Sequence, residues 1–263
     1  MEILHRVQAY NSARGVGNPL HDDEGARALG YPAALVPGVD VYGYLTHAAV
    51  AAWEGDWLRR GGASCRLTRP VFEGEDCHIV GAFRPDGVLE TELRVEGEIR
   101  AKATFLPPED VPHPALDKPW QPLPERRPLG SQESLAAGLA LGTLAVCLDR
   151  RTGDAYLSDQ RETHRFYRDN PVVHPAYLLR QCNFALSRNV ALEGWIHVGS
   201  TVRNFAPIPQ ETPFELRTTV AANDERSGHR FVELDILVVS GSGDAIFGSV
   251  RHVAIYAPRS TQE

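Results

Sequence analysis

One long interval occurs twice in this chain, and it constrains the fold more than any other feature. Pro37 opens an apolar stretch, and Pro70 follows 33 residues later at the end of a strand-like segment. Pro175 opens a second apolar stretch, and Pro207 follows 32 residues later in the same setting. Repetition of an interval this long indicates an internal duplication, one supersecondary unit written twice. Between the copies lies a segment dense in proline, with Pro107, Pro108, Pro112, Pro114, Pro119, Pro122, Pro124 and Pro128. Proline removes backbone donors and disfavours helix at the preceding residue, so this segment reads as an extended surface linker. The expected organisation is a first unit over 1–106, a linker over 107–128 and a second unit over 129–263.

Each unit shows the same order of events. In the first, Val41, Leu45, Ala48, Ala49 and Ala52 recur at helical spacing from Pro37 to about Leu58, and Gly61-Gly62 ends the run. Strand-like segments follow over 65–71, 77–83, 88–95 and 99–106, with turn signals at Glu73-Gly74, Pro85-Asp86-Gly87 and Glu96-Gly97. In the second, a helix is expected from Pro175 to about Ala191, then strands over 197–205, 214–221, 230–239 and 245–256. A strand is also expected at the N-terminus. A long helix followed by an antiparallel meander gives an α+β unit in which a sheet wraps one buried helix. A single such sheet leaves an edge and a helix face in need of a partner, which a tandem copy supplies.

Bulk properties narrow the function. The chain has 263 residues, enough for one large or two small domains, with 43% hydrophobic and 23% charged residues. A net charge of −7 leaves no basic excess to neutralise phosphates, which argues against general nucleic-acid binding. No run approaches the roughly 20 apolar residues that span a bilayer, and the first residues lack the apolar core of a signal peptide. Cys65, Cys77, Cys147 and Cys182 show no metal-ligand or CxxC spacing, so reduced thiols in a cytoplasmic protein are expected. The ten histidines form no compact ligand set, so no metal is expected. Nucleotide-binding, serine-hydrolase and zincin signatures are absent.

The most distinctive local stretch is Asn18-Pro19-Leu20-His21-Asp22-Asp23, followed by Ala26-Arg27, Gly30-Tyr31-Pro32 and Val36-Pro37-Gly38. Arg69-Pro70-Val71-Phe72-Glu73-Gly74-Glu75 lies downstream. Together these residues resemble the MaoC-like, or R-specific enoyl-CoA hydratase, branch of the hotdog superfamily over roughly residues 5–106. The second half is similar only in its helix and sheet pattern, with Val173-His174-Pro175 where the family has His-Gly. The resemblance implies a tandem (double) hotdog fold and a hydratase or dehydratase, a lyase acting on an acyl thioester or related α,β-unsaturated carbonyl compound. It implies no resident cofactor; CoA or an acyl carrier would be the handle of the substrate, and a homodimer of tandem protomers is a further expectation. In the family a histidine and an aspartate five residues before it act together. His21 falls on the histidine, but Val16, between Gly15 and Gly17, occupies the aspartate's place.

The candidate site follows from these residues, at the interface of the two halves. His21 is the candidate general acid/base. Asp40 is a candidate to replace the missing carboxylate, although an acid in the first turn of a helix is also ordinary dipole chemistry. Asp22 and Asp23 are further acids nearby, with helix capping the leading reading of Asp23. Gly38 offers a backbone N–H at a helix start to a thioester oxygen, and glycine permits the close approach. Tyr42, His174 and Tyr177 are candidate substrate-binding residues; a lone histidine at 174, or at 197, has a structural reading as well. Asp40, Tyr44 and His47 lie on one side of the helix, a polar stripe that requires either partners or a cavity. Thioester hydrolysis, conjugate addition by another nucleophile and a non-catalytic binding subunit are the competing readings.

Overall fold

The computed structural model describes residues 2–258; position 1 of the first unit and positions 259–263 of the second lie outside the described residues. Strand β1 (Glu2–Gln8) leads through a 3-10 turn (Pro19–His21) and a short helix α1 (Asp23–Ala28) to the long helix α2 (Gly38–Arg60). Strands β2 (Gly62–Leu67), β3 (Asp76–Phe83), β4 (Leu89–Val95) and β5 (Glu98–Leu106) follow. The second half begins with β6 (Leu144–Val146), then α3 (Arg150–Asp159), α4 (Arg165–Asp169) and α5 (Pro175–Ser187). It closes with β7 (Ile196–Asn204), β8 (Phe214–Arg226), β9 (His229–Ser240) and β10 (Ile246–Ala257). None of these helices is long and apolar enough to cross a membrane.

All ten strands form one sheet in the order β1-β3-β4-β5-β2-β7-β10-β9-β8-β6. The order reads the same from either end once β1 to β5 are matched with β6 to β10 in the sequence of each half. That palindrome is the duplication expressed as topology. The halves join where β2 runs antiparallel to β7, from Gly62 opposite Arg203 to Arg66 opposite Gly199. Strand alternation sets the inward face: Leu89, Thr91, Leu93 and Val95 on β4 and Phe214, Leu216, Thr218 and Val220 on β8 are all buried. Pro70 and Pro207 lie beyond the last residues of β2 and β7, where a missing donor costs no ladder bond.

Helix α2 is buried on nearly every side from Val39 to Val50, as expected for a helix with a sheet on one face and a second helix on the other. Its apolar residues Val41, Leu45, Ala48 and Ala49 join the main core. The polar stripe finds partners rather than a cavity. Both Asp40 oxygens lie 3.1 Å from Arg180 Nη2 on α5; Oδ1 also accepts from the Tyr156 hydroxyl at 2.7 Å and Oδ2 from the Ser12 hydroxyl. Tyr44 Oη accepts from Tyr10 N–H at 3.1 Å, and His47 Nδ1 bonds Glu162 Oε1 at 2.8 Å. Gly43 lets the helices cross closely: an added Cβ would stand 2.8 Å from Ala176 Cβ and 2.0 Å from Gln160 Oε1.

Three details differ from the sequence expectation. α2 is not continuous to its end: Glu54 breaks it with φ 48 and ψ −137, and beyond the break Trp57 turns fully inward and donates to Gly62 O at 3.2 Å. α5 stops at Ser187 rather than 191, and β2 begins already at Gly62, inside the glycine pair that reads as a helix stop. The extended stretch after β5 runs on past 128, with no named helix or strand until Leu144.

Two stability outcomes follow. Asp40→Ala leaves Arg180 without its buried counter-charge and should cost about 3–5 kcal/mol by urea denaturation, whereas Asp40→Ala combined with Arg180→Leu should recover a large part of it. Gly43→Ala should cost about 1–3 kcal/mol through overpacking at the helix crossing; an unchanged midpoint would mean that the helices have room to part.

Candidate functional site

A cavity of about 230 Å³ opens where the first turn of α2 meets the start of β7, at the boundary of the two halves. The first half contributes Asn18, His21, Gly38, Val41, Leu67 and Val71 to its wall; the second contributes Asn183, Trp195, His197 and Ile255.

The Asn-Pro turn positions His21. Asn18 is buried and caps the 3-10 turn, its Oδ1 accepting from Leu20 N–H at 3.3 Å. Its Nδ2 donates to Trp195 O at 2.8 Å, tying the turn to the second half, and lies 3.4 Å from His21 Nε2. Leu20 anchors the turn in a small apolar cluster with Ala26 and Leu35. His21 Nδ1 is 2.8 Å from Leu35 O. A carbonyl can only accept, so the neutral ring carries its proton on Nδ1 and leaves Nε2 as the basic nitrogen. Burial pushes the His21 pKa below its ordinary value, with the Leu35 carbonyl opposing. The ring is therefore neutral at neutral pH, as a proton acceptor must be.

Gly38 lines the same cavity. The first intrahelical bonds of α2 are made by Asp40 and Val41 to Pro37 O, so the Gly38 N–H stands ahead of the ladder at the positive end of the helix. A Cβ at Gly38 would lie 2.4 Å from Leu67 Cδ1 and 3.1 Å from His197 O, so a side chain there would require Leu67 to shift and would crowd the His197 carbonyl.

The second half's side of the cavity carries a buried polar chain. His197 Nε2 is 2.9 Å from Ser200 Oγ, Ser200 Oγ is 2.9 Å from His252 Nδ1, and His252 Nε2 is 3.0 Å from Asn183 Oδ1. The two imidazoles stack with centroids 4.4 Å apart. Burial lowers the His197 pKa to about 4, the backbone of Gly199 and Gly38 opposing, and holds His252 well below its usual range. No protein group completes a hydrogen bond to His197 Nδ1.

The remaining expected site residues lie elsewhere. Asp40 does not reach the cavity: it is fully buried, and its charge is committed to Arg180. Tyr42 is buried in the core with its hydroxyl unpartnered. His174 caps α5, Nδ1 accepting from Ala176 N–H at 3.2 Å while Nε2 lies 3.9 Å from Glu162. Tyr177 packs edge-on against Tyr156 at 5.2 Å. Asp22 accepts from Gly15 N–H at 3.0 Å; Asp23 accepts from Ala34 N–H at 2.9 Å rather than capping α1, because its position falls inside the helix. Val16 is 45% exposed and away from the cavity wall. Sequence reading passed over Asn183, Ser200 and His252, and took Asn18 only as part of the turn before His21. For His252 a signal was present: it shares the inward register of β10 with Val250 and Ala254, an unusual place for an imidazole. Among the described residues no cluster of three or more His, Cys, Asp or Glu is placed to hold a metal ion.

No protein-family model matches the sequence, and no curated protein is detectably similar to it. Solved structures are similar in three dimensions. A MaoC domain protein from Chloroflexus aurantiacus J-10-fl, named as a dehydratase, matches with a TM-score of 0.68 at 12% identity, over 98% of this chain and 95% of its own. A double-hotdog protein from Mycobacterium tuberculosis gives 0.66 at 14% identity, over 96% of this chain and 95% of its own. A MaoC-like dehydratase gives 0.61 at 15% identity, over 97% and 98%. The chain therefore has the double-hotdog fold, shared along nearly its whole length with these structures.

Proposed function

We propose that this protein is a MaoC-like hydratase or dehydratase that adds water reversibly to the α,β double bond of an acyl thioester. The observation that carries the reading is that His21, its ring held through Nδ1 by Leu35 O, and Gly38, whose N–H precedes the helical ladder of α2, line the same cavity. A general base and an oxyanion donor in one cavity are what addition to an enoyl thioester requires. The fold shared with MaoC-type dehydratases supports it.

In the addition direction the thioester oxygen accepts from Gly38 N–H, and His21 Nε2 takes a proton from water. The water oxygen bonds to Cβ, the π electrons move toward Cα, and the enolate charge settles on the oxygen held at the helix start. The imidazolium then returns the proton to Cα, so His21 ends neutral and one water has been added. Elimination runs the same steps backwards. Asp40, locked to Arg180, has no part in this sequence.

The reading has direct kinetic consequences. With crotonyl-CoA as substrate, His21→Ala should lower kcat by about 10²-fold or more while the far-UV spectrum is retained. An unchanged kcat would reduce His21 to a turn-forming residue. The profile of kcat/KM should be flat through neutrality and fall on the acid side, where His21 protonates below pH 6.5; a limb above that value would point to another base. Val16→Asp should leave kcat unchanged, because its side chain meets solvent rather than the cavity. Release of free thiol without hydration would instead favour thioesterase chemistry.

A further inference from the structure

The proposed addition uses one histidine and leaves unexplained a second, buried beside Gly38 on the second half's side of the cavity. The polar chain behind His197 fixes its tautomer. Asn183 Oδ1 accepts, so His252 Nε2 donates to it and, the ring being neutral, His252 Nδ1 accepts from the Ser200 hydroxyl. Ser200 Oγ in turn accepts from His197 Nε2–H. This direction leaves His197 Nδ1 as a bare lone pair. That atom is buried and, among the described residues, unpartnered; it lies beside Gly38, in a residue that lines the cavity. A buried acceptor without a donor is costly, and in a site it marks a place meant for one. The Leu67 methyl group occupies the space over Gly38 next to it, so a water reaching this corner has to displace Leu67.

We propose that His197 Nδ1 is the second acceptor for the reacting water, filling the role for which the first half offers only Val16. This rests on the hydratase reading of the cavity. Water has two hydrogens: one is taken by His21 Nε2 and delivered to Cα, and the other stays on oxygen throughout, donated to His197 Nδ1. The new C–O bond forms at Cβ while the oxygen is held between the two imidazoles, and the hydroxyl product keeps the bond to His197. His197 gains and loses no proton. Ser200, His252 and Asn183 act through it as positioning residues.

Two substitutions separate this role from simple packing. His197→Gln keeps a group in reach of Ser200 but removes the acceptor at the Nδ1 position; His197→Asn keeps an acceptor there and loses Ser200. With crotonyl-CoA, His197→Gln should lower kcat at least about tenfold with little change in KM, and His197→Asn should retain more activity than His197→Gln. Equal losses in both, or none in Gln, would overturn the proposal. ¹⁵N NMR of the histidine-labelled wild-type protein reads the nitrogen itself. At pH 7 His197 Nδ1 should resonate as an unprotonated nitrogen and shift toward the hydrogen-bonded range on adding 3-hydroxybutyryl-CoA. A protonated Nδ1, or no shift with saturating thioester, would refute the assignment. If the shift occurs but the wild type hydrates nothing, His197 is a ligand acceptor and the hydratase reading falls separately.

Discussion

A carboxylate without access to water holds the two halves in register. Asp40 sits in the first turn of α2, entirely buried, and the guanidinium of Arg180 reaches it from α5. Two charges taken out of water recover their desolvation cost only with good geometry and further hydrogen bonds, and here the Tyr156 and Ser12 hydroxyls supply them. The pair lies two residues beyond Gly38 and three before Gly43, so the start of α2 is set by the same contact that fixes the helix crossing. The cavity lies at that start. The second half's side of it includes β7, joined to β2 through the seam. The site geometry thus depends on how the halves pack.

The halves are equivalent in backbone and unequal in chemistry. Ahead of α2, Val36 N–H donates to Val71 O at 2.8 Å; ahead of α5, Val173 N–H donates to Ile208 O at the same distance. Leu35 bridges Phe72 as Val172 bridges Pro209. The segments that lead into these matched positions differ. In the first half the lead-in carries the capped Asn-Pro turn and His21. In the second it carries α3 and α4, whose Tyr156 hydroxyl goes to Asp40 and whose Tyr167 ring packs 4.9 Å from that of His174 at the start of α5. The second helix start is thereby built into the core, with a histidine cap in place of a glycine approach. Of the two matched frames, one lead-in lines the cavity and the other braces the core.

The strands and both long helices were legible because their signals are local: alternation on β4 and β8, helical spacing on α2, prolines beyond β2 and β7. The Asn18-to-His21 turn was legible for the same reason, since its cap from Asn18 Oδ1 to Leu20 N–H is local, whereas its tie to Trp195 O was not. Asp40 was ambiguous, because a first-turn acid looks alike whether it faces solvent, substrate or a guanidinium 140 residues on. α3 and α4 escaped because α3 buries only Gly153 and Tyr156 and leaves almost no apolar period to read. The chain from Asn183 through His252 and Ser200 to His197 joins a helix and two strands, and only the sheet register of β7 against β10 brings those residues together. No spacing in the sequence encodes it.

Where oxygen from water ends up decides the chemistry of the cavity. Incubation with crotonyl-CoA in H₂¹⁸O, followed by mass spectrometry of the products, separates addition to the double bond from attack on the thioester. Hydration in the cavity requires ¹⁸O on C3 of an intact 3-hydroxybutyryl thioester, with no label in free carboxylate. Label in crotonate together with free CoA, or in neither product, would contradict it.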